Sequence, residues 1–223
     1  MLKLPAPDSP RVTFNELLGV VLAETVSIRV APSAFIEVAP NLLRDREGRF
    51  IESGEYFGCQ VLTDYCELDA SYVTNKVSDD ALAELYFLLA FDLLILNTDR
   101  KFGDVLRRDS EPLLVVDHGN ALSGANWTAQ SLAERHDSGI DVNDRRLISC
   151  SLTDENRARC AARRLAAAVA DDLLVALASI CSYQPLCDAE YKAVANILGH
   201  RLESLERLAV DQVQVYAKYL ETH

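Results

Sequence analysis

The run Ser78 to Leu96, SDDALAELYFLLAFDLLIL, limits this chain more than any other stretch. Ser78 is a good N-cap, and Asp79 and Asp80 suit the positive end of a helix. The second half is apolar nearly all round. Such a helix is stable only when other elements enclose it, so it is expected at the centre of a lobe. With 223 residues the chain is long enough to bury a sizeable core, as one large domain or two small lobes. The helix also ends at Asn97-Thr98-Asp99-Arg100. Polar residues directly after a rigid apolar element sit at the rim of a core, where sites are built.

The flanking elements are read the same way. Pro5, Pro7 and Pro10 exclude regular structure before about Arg11. Thr13 to about Thr25 is predicted as a helix, with Thr13 as cap and Glu16 at the capping-box spacing. Val26 to Ala39 reads as one or two strands broken near Pro32, and Tyr56 to Leu62 as a buried strand with Gly58 allowing close approach. Pro40 to Gly54 is charged and turn-like. Leu113 to Val116 reads as a short strand. Gly119 to Asp144 looks irregular, with Ser123, Thr128 and Ser131 as candidate phosphorylation positions. Beyond it, three helices are predicted: Thr153 to about Ile180, Asp188 to Leu198 ending at Gly199, and Arg201 to Leu220.

Charge narrows the function. The net charge of −12 excludes a general nucleic-acid surface and docking on anionic lipid, both of which need a basic footprint. No apolar run approaches the roughly 20 residues that span a bilayer. The N-terminus lacks the apolar core of a leader peptide, so a cytoplasmic location is expected. The six cysteines form no C-x-x-C pair and are expected as reduced thiols. The basic cluster Arg157, Arg159, Arg163 and Arg164 reads as a solvated face that could also meet a phosphate.

Three acids in one stretch carry the chemistry: Asp99, Asp104 and Asp117. Asp99 follows the long helix, Asp104 stands five residues on, and Asp117-His118-Gly119 follows the apolar strand. One carboxylate can orient or deprotonate a hydroxyl while two hold a divalent metal on a nucleotide. Mg²⁺ suits such a pair, because it keeps waters and phosphate oxygens in its shell.

Asn97-Thr98-Asp99-Arg100, position 104 and Asp117-His118-Gly119 together resemble the catalytic and metal-binding segments of the HipA-like kinases. They resemble more distantly the phosphoinositide-type and eukaryotic protein kinases. The resemblance implies Asp99 as the catalytic acid–base residue and Asp104 and Asp117 as the metal ligands. It implies Lys3 on the ATP phosphates, held by Glu16 of Asn15-Glu16. Asp104 stands where Asn is expected, and Lys101 where many relatives have His. Thr63 to Val77 would join the lobes beside the adenine. Only Met1 and Leu2 precede Lys3, which leaves no room in this sequence for the glycine-rich hairpin that covers the phosphates.

The expected fold is therefore α+β, a truncated protein-kinase-like two-lobe arrangement. Residues 1–66 would form a reduced N-lobe and residues 67–223 a helical C-lobe. The implied activity is transfer of the ATP γ-phosphate to a Ser or Thr of a protein, with ATP and Mg as cofactors. A separate subunit could complete the N-lobe. The family includes toxins of toxin–antitoxin modules. A pseudokinase acting as a protein-binding module is the alternative.

Overall fold

A computed structural model describes residues 1–3, 10–45, 48–68, 78–108, 111–140 and 152–222. The long helix is there as read. α2 (Asp79–Ile95) is capped by the Ser78 side chain, which accepts a hydrogen bond from Ala81 N, and Leu85 to Ile95 are all buried. Each fully buried Leu of this kind stabilises the fold by about 2 kcal/mol. Around α2 pack α4 (Glu155–Val169), α6 (Asp188–Glu203) and α7 (Leu205–Thr222). The short α3 (Ala129–Ala133) lies against α6.

The sheets lie towards the N-terminal half. β2 (Ser33–Val38) pairs antiparallel with β3 (Gly54–Cys59) in the register Ser33 to Cys59 through Val38 to Gly54. Leu2 bridges Gly58 on the other edge of β3, so residues 1–3 run as a short strand beside it. Lys3 N donates to Phe57 O at 2.9 Å and Cys59 N to Met1 O at 2.9 Å. A Cβ on Gly58 would lie 2.8 Å from Ile36 Cδ1, so the close approach expected there is real. A second sheet has the order β1-β6-β5-β4. β1 (Arg29–Val30) runs parallel to β6 (Leu114–Val115), while β5 (Val105–Arg107) is antiparallel to both β6 and β4 (Cys66–Glu67). β4 falls in the segment read as the lobe connection, and β5 in the stretch between Asp99 and Leu113, for which no strand is predicted.

α1 (Val12–Thr25) crosses between these parts. It packs against β1, β3 and α5 (Leu173–Tyr183), and Thr13 to Val20 are buried without a break. The capping box expected at Thr13 does not form. Arg11 takes the N-cap position and no side chain caps it. Glu16 is turned instead to Lys3.

The C-terminal helices differ from expectation at two places. The Ala-rich helix predicted from Thr153 to Ile180 is two helices, α4 and α5, bent by 65° across Ala170-Asp171-Asp172. Paired aspartates favour the positive start of a helix over a helix interior, so Leu173 begins a new one. Conversely, Gly199 does not stop α6, which runs on to Glu203 and carries Arg201 inside it. Three of the four clustered arginines have partners within the chain: Arg157 pairs with Asp79, Arg163 with Glu206, and Arg164 lies over the Phe87 ring. Cys59, Cys66, Cys160, Cys181 and Cys187 are free thiols, and Cys150 lies outside the described residues. Among the described residues no single helix is long and apolar enough to cross a membrane.

Candidate active site

Three of the five residues singled out from the sequence meet directly. The pairing of residues 1–3 with β3 sets the Lys3 backbone, and α1 presents Glu16 from below. Lys3 Nζ lies 2.5 Å from Glu16 Oε1 and 2.8 Å from Asp117 Oδ1. Glu16 Oε2 also accepts from His118 N at 3.1 Å, which ties the helix to the turn that bears Asp117. Gly119 makes this possible: a Cβ there would lie 3.2 Å from Glu16 Oε1.

Burial decides how the two acids around Lys3 titrate. Burial raises the Glu16 carboxyl above its ordinary value, and Lys3 offsets only part of that. Burial also works against the Asp117 carboxylate, but Lys3 prevails and holds it below its ordinary value. The difference follows from exposure, since the Glu16 side chain is 4% exposed and that of Asp117 44%. Burial alone would lower the Lys3 ammonium; Glu16 and Asp117 together push it up.

Asp104 and Asp99 come in through the loop after α2. Leu96 closes α2 in a left-handed conformation (φ 50°) and turns the chain into this loop. Asp104 ends a single 3-10 turn, Phe102–Asp104, and its Oδ2 accepts from Lys101 N at 2.8 Å. Its carbonyl accepts from Val116 N at 2.9 Å, which fixes it beside the Asp117 strand end. Burial pushes the Asp104 carboxyl up to about 6, against the pull of Lys101 N and Arg100, and the Asp117 charge adds to the rise. Asp99 Oδ2 lies 2.6 Å from Lys101 Nζ and 3.4 Å from Asn120 Nδ2. Lys101 thus touches Asp99 with its side chain and Asp104 with its backbone.

Two residues of the motifs read from the sequence, Arg100 and Asn15, hold this set in place, and Arg100 does so by pairing with a carboxylate. Arg100 is buried and paired through two nitrogens with Asp92, at 3.1 Å from Nε and 2.9 Å from Nη2. Its Nη1 donates to Val116 O at 2.5 Å, directly before Asp117. The available signal was Asp92 itself, an acid in the otherwise apolar half of α2. Asn15 Nδ2 donates to the carbonyls of Gly119, Ala121 and Gly124 at 2.7–3.0 Å. Asn15 Oδ1 accepts from Trp127 Nε1 at 2.8 Å. Asp117, Leu122 and Ser123 have positive φ, and strain of this kind is concentrated where a site over-determines its backbone. His118 is buried against Gly19 and the edge of Phe91, and burial keeps its imidazole well below its ordinary value and so neutral. Thr128 and Ser131, noted as modification candidates, cap α3 reciprocally.

Among the described residues no group of three or more His, Cys, Asp or Glu forms a metal cage. Asp104 and Asp117 are a pair of oxygen donors, and the Asp117 charge helps to raise the Asp104 carboxyl. This donor set fits a hard cation that draws its remaining ligands from water and phosphate, as Mg²⁺ does. A cavity of about 610 Å³ lined by Glu24, Arg29, Gln60, Asp64, Tyr65 and Arg108 among others shares no residue with this set. Part of the lobe connection expected at Thr63 to Val77, residues 69–77, lies outside the described residues.

Comparison with known proteins agrees with the fold. The crystal structure of CtkA, a proinflammatory kinase of Helicobacter pylori, superposes with a TM-score of 0.61 at 14% identity, covering 97% of this chain and 91% of that one. No curated protein sequence matches the chain. The family model for HipA-like kinases matches residues 7–170, which include Glu16, Asp99, Asp104 and Asp117. The chain belongs to the HipA-like kinase family.

Proposed function

We propose that this protein transfers the γ-phosphate of ATP to a Ser or Thr hydroxyl of a protein, with Mg²⁺ as cofactor. The observation that carries the reading is the ion cluster of Lys3, Glu16 and Asp117, built from three distant parts of the chain. Phosphoryl transfer needs alignment of the acceptor and neutralisation of spread negative charge rather than covalent chemistry. Lys3, fixed by Glu16, would hold the nucleotide phosphates. Asp104 and Asp117 would hold Mg²⁺, which offsets charge on the phosphate oxygens when bound. Asp99 would accept a hydrogen bond from the acceptor hydroxyl and take its proton. Partner proteins are substrates in this reading, and a separate subunit could pair with the strand at residues 1–3.

Aspartate at position 104, where the family pattern has asparagine, favours a second reading, a pseudokinase that binds a partner through its helical part. Thermal stability with and without Mg-ATP separates the two. A ligand that binds only the folded state raises stability by about 2.7 kcal/mol at a hundred times its Kd. A kinase shows that rise, and Asp117→Ala loses it. No rise at millimolar Mg-ATP would overturn the kinase reading.

A further inference from the structure

Between the turn after α1, α2 and β6 lies a cavity of about 240 Å³ that shares no residue with the acids of the active site. Val26, Ile28, Phe87, Leu88, Leu113 and Val115 give it an apolar wall. All but Ile28 belong to the buried core, so packing fixes the wall. Ser27, at φ 62°, turns the chain from α1 towards β1 at its edge. A left-handed serine of this kind is strained, and such strain clusters at ligand sites.

Three charged side chains also line the cavity, and two are already committed. Arg29 Nη1 donates to Pro112 O at 3.0 Å, and its Nη2 pairs with Glu111 at 2.9 Å. Glu84 Oε2 accepts from Leu113 N at 2.8 Å. Arg164 differs. It is exposed, its guanidinium lies 4.7 Å from the Phe87 ring centroid, and among the described residues no carboxylate pairs with it. A guanidinium stacked on a ring keeps the N–H groups of its edge free. On a chain of net charge −12 it makes a local positive spot beside an apolar cavity. The larger cavity at Arg29 offers no such group, since Arg108 there is paired with Asp64 and Glu111.

We propose that this cavity binds a small organic acid, an apolar body bearing one carboxylate. The body fills the space against Val26, Leu88 and Val115, and the carboxylate takes the free edge of Arg164 in a two-pronged pair. Volume sets the size of the body. An apolar cavity of about 150 Å³ holds one benzene, so one of about 240 Å³ takes a ring or branched chain with a short acid arm. Charge sets the head group. One unpaired guanidinium matches one carboxylate, and Glu84 opposes a dianion such as a phosphate ester. The bound acid rests on the elements that carry or lead into Glu16, Asp99 and Asp117. Its binding does not depend on the kinase reading.

Titration of the full chain with hydrocinnamate, and with its neutral amide, tests the site by calorimetry and methyl NMR. The acid should bind with a Kd of about 0.1–1 mM, as suits a ligand of about ten non-hydrogen atoms. The amide should bind at least about ten-fold more weakly. Arg164→Gln, a change at an exposed position, should weaken the acid about ten-fold and leave the amide within about two-fold. Ile28→Phe fills the cavity from its half-buried wall and should abolish both, with an unchanged circular dichroism spectrum. On binding, the methyl resonances of Ile28, Leu88, Leu113 and Val115 should shift. No binding at about 10 mM acid would overturn the site. So would equal affinity for acid and amide, an Arg164→Gln protein that binds the acid as wild type does, or shifts confined to other methyl groups.

Discussion

Lys3 Nζ and Asp117 Oδ1 are 2.8 Å apart, although 114 positions separate them in the chain. The same ammonium is the counter-ion of the buried Glu16. Lys3→Met therefore strands a carboxylate whose side chain is 4% exposed. Removing one partner of a buried pair costs about 3–4 kcal/mol. The double variant Lys3→Met with Glu16→Gln should regain most of that stability, because glutamine still accepts from His118 N. Neither variant should bind Mg-ATP. Thermal denaturation and nucleotide titration check the two halves separately, and a double variant that still binds would remove Lys3 from the site.

Asp104 makes a prediction in pH. Its carboxyl stands at about 6 in the folded protein, above the ordinary value of an unfolded aspartate, so folding favours its protonated form. Its contribution to stability is then fully present below about pH 4 and lost as pH rises through about 6. Asp104→Asn keeps an acceptor for Lys101 N and removes the titration. The metal-free variant should be more stable than wild type by about 1–2 kcal/mol near pH 8, after allowance for solvent screening, with the gap closing towards pH 4. Equal stability at both ends would contradict the burial seen here.

Asn15 is predicted to matter for stability out of proportion to its size. Asn15→Leu leaves three carbonyls and the Trp127 indole without their partner. The expected loss is about 3 kcal/mol, with a change in tryptophan emission. Trp127→Phe loses one hydrogen bond together with indole packing on Phe14 and Arg11, and is followed by circular dichroism because no tryptophan remains. Denaturant melts followed by fluorescence and circular dichroism would show it, and an unperturbed Asn15→Leu protein would refute the clamp.

Gly19 sits under the His118 ring. A Cβ at Gly19 would lie 2.2 Å from the imidazole, so Gly19→Ala must displace the histidine next to Asp117. Overpacking of this kind costs about 2–3 kcal/mol. Nucleotide affinity should fall with stability, whereas Gly199→Ala, in open space inside α6, should leave affinity unchanged and raise stability by about 0.5–1 kcal/mol.

Much of this was legible in the chain, for local reasons. α2 announced itself by Ser78, two aspartates and an apolar run; Asp99 and Asp117 could be placed because each follows an apolar element, and Asp104 by its spacing from Asp99. The misreadings had long-range causes. Thr13 and Glu16 have capping-box spacing, but the nearby Lys3 takes the carboxylate. Gly199 looks like a stop, yet packing on α2 carries α6 through it. The bond from Arg100 to Asp92 and the triple grip of Asn15 depend on surfaces that meet only after folding.

Arg201 carries one more implication. Its Nε donates to Leu93 O at 2.5 Å, and its Nη1 donates to the carbonyls of His136 and Ser138. Among the described residues no carboxylate pairs with it, and burial lowers the guanidinium to about 10. The family match ends at residue 170, yet this side chain from beyond it props the last turn of α2, four residues before Asn97. A fragment trimmed to the matched stretch would keep every acid of the site and lose the strut beneath them.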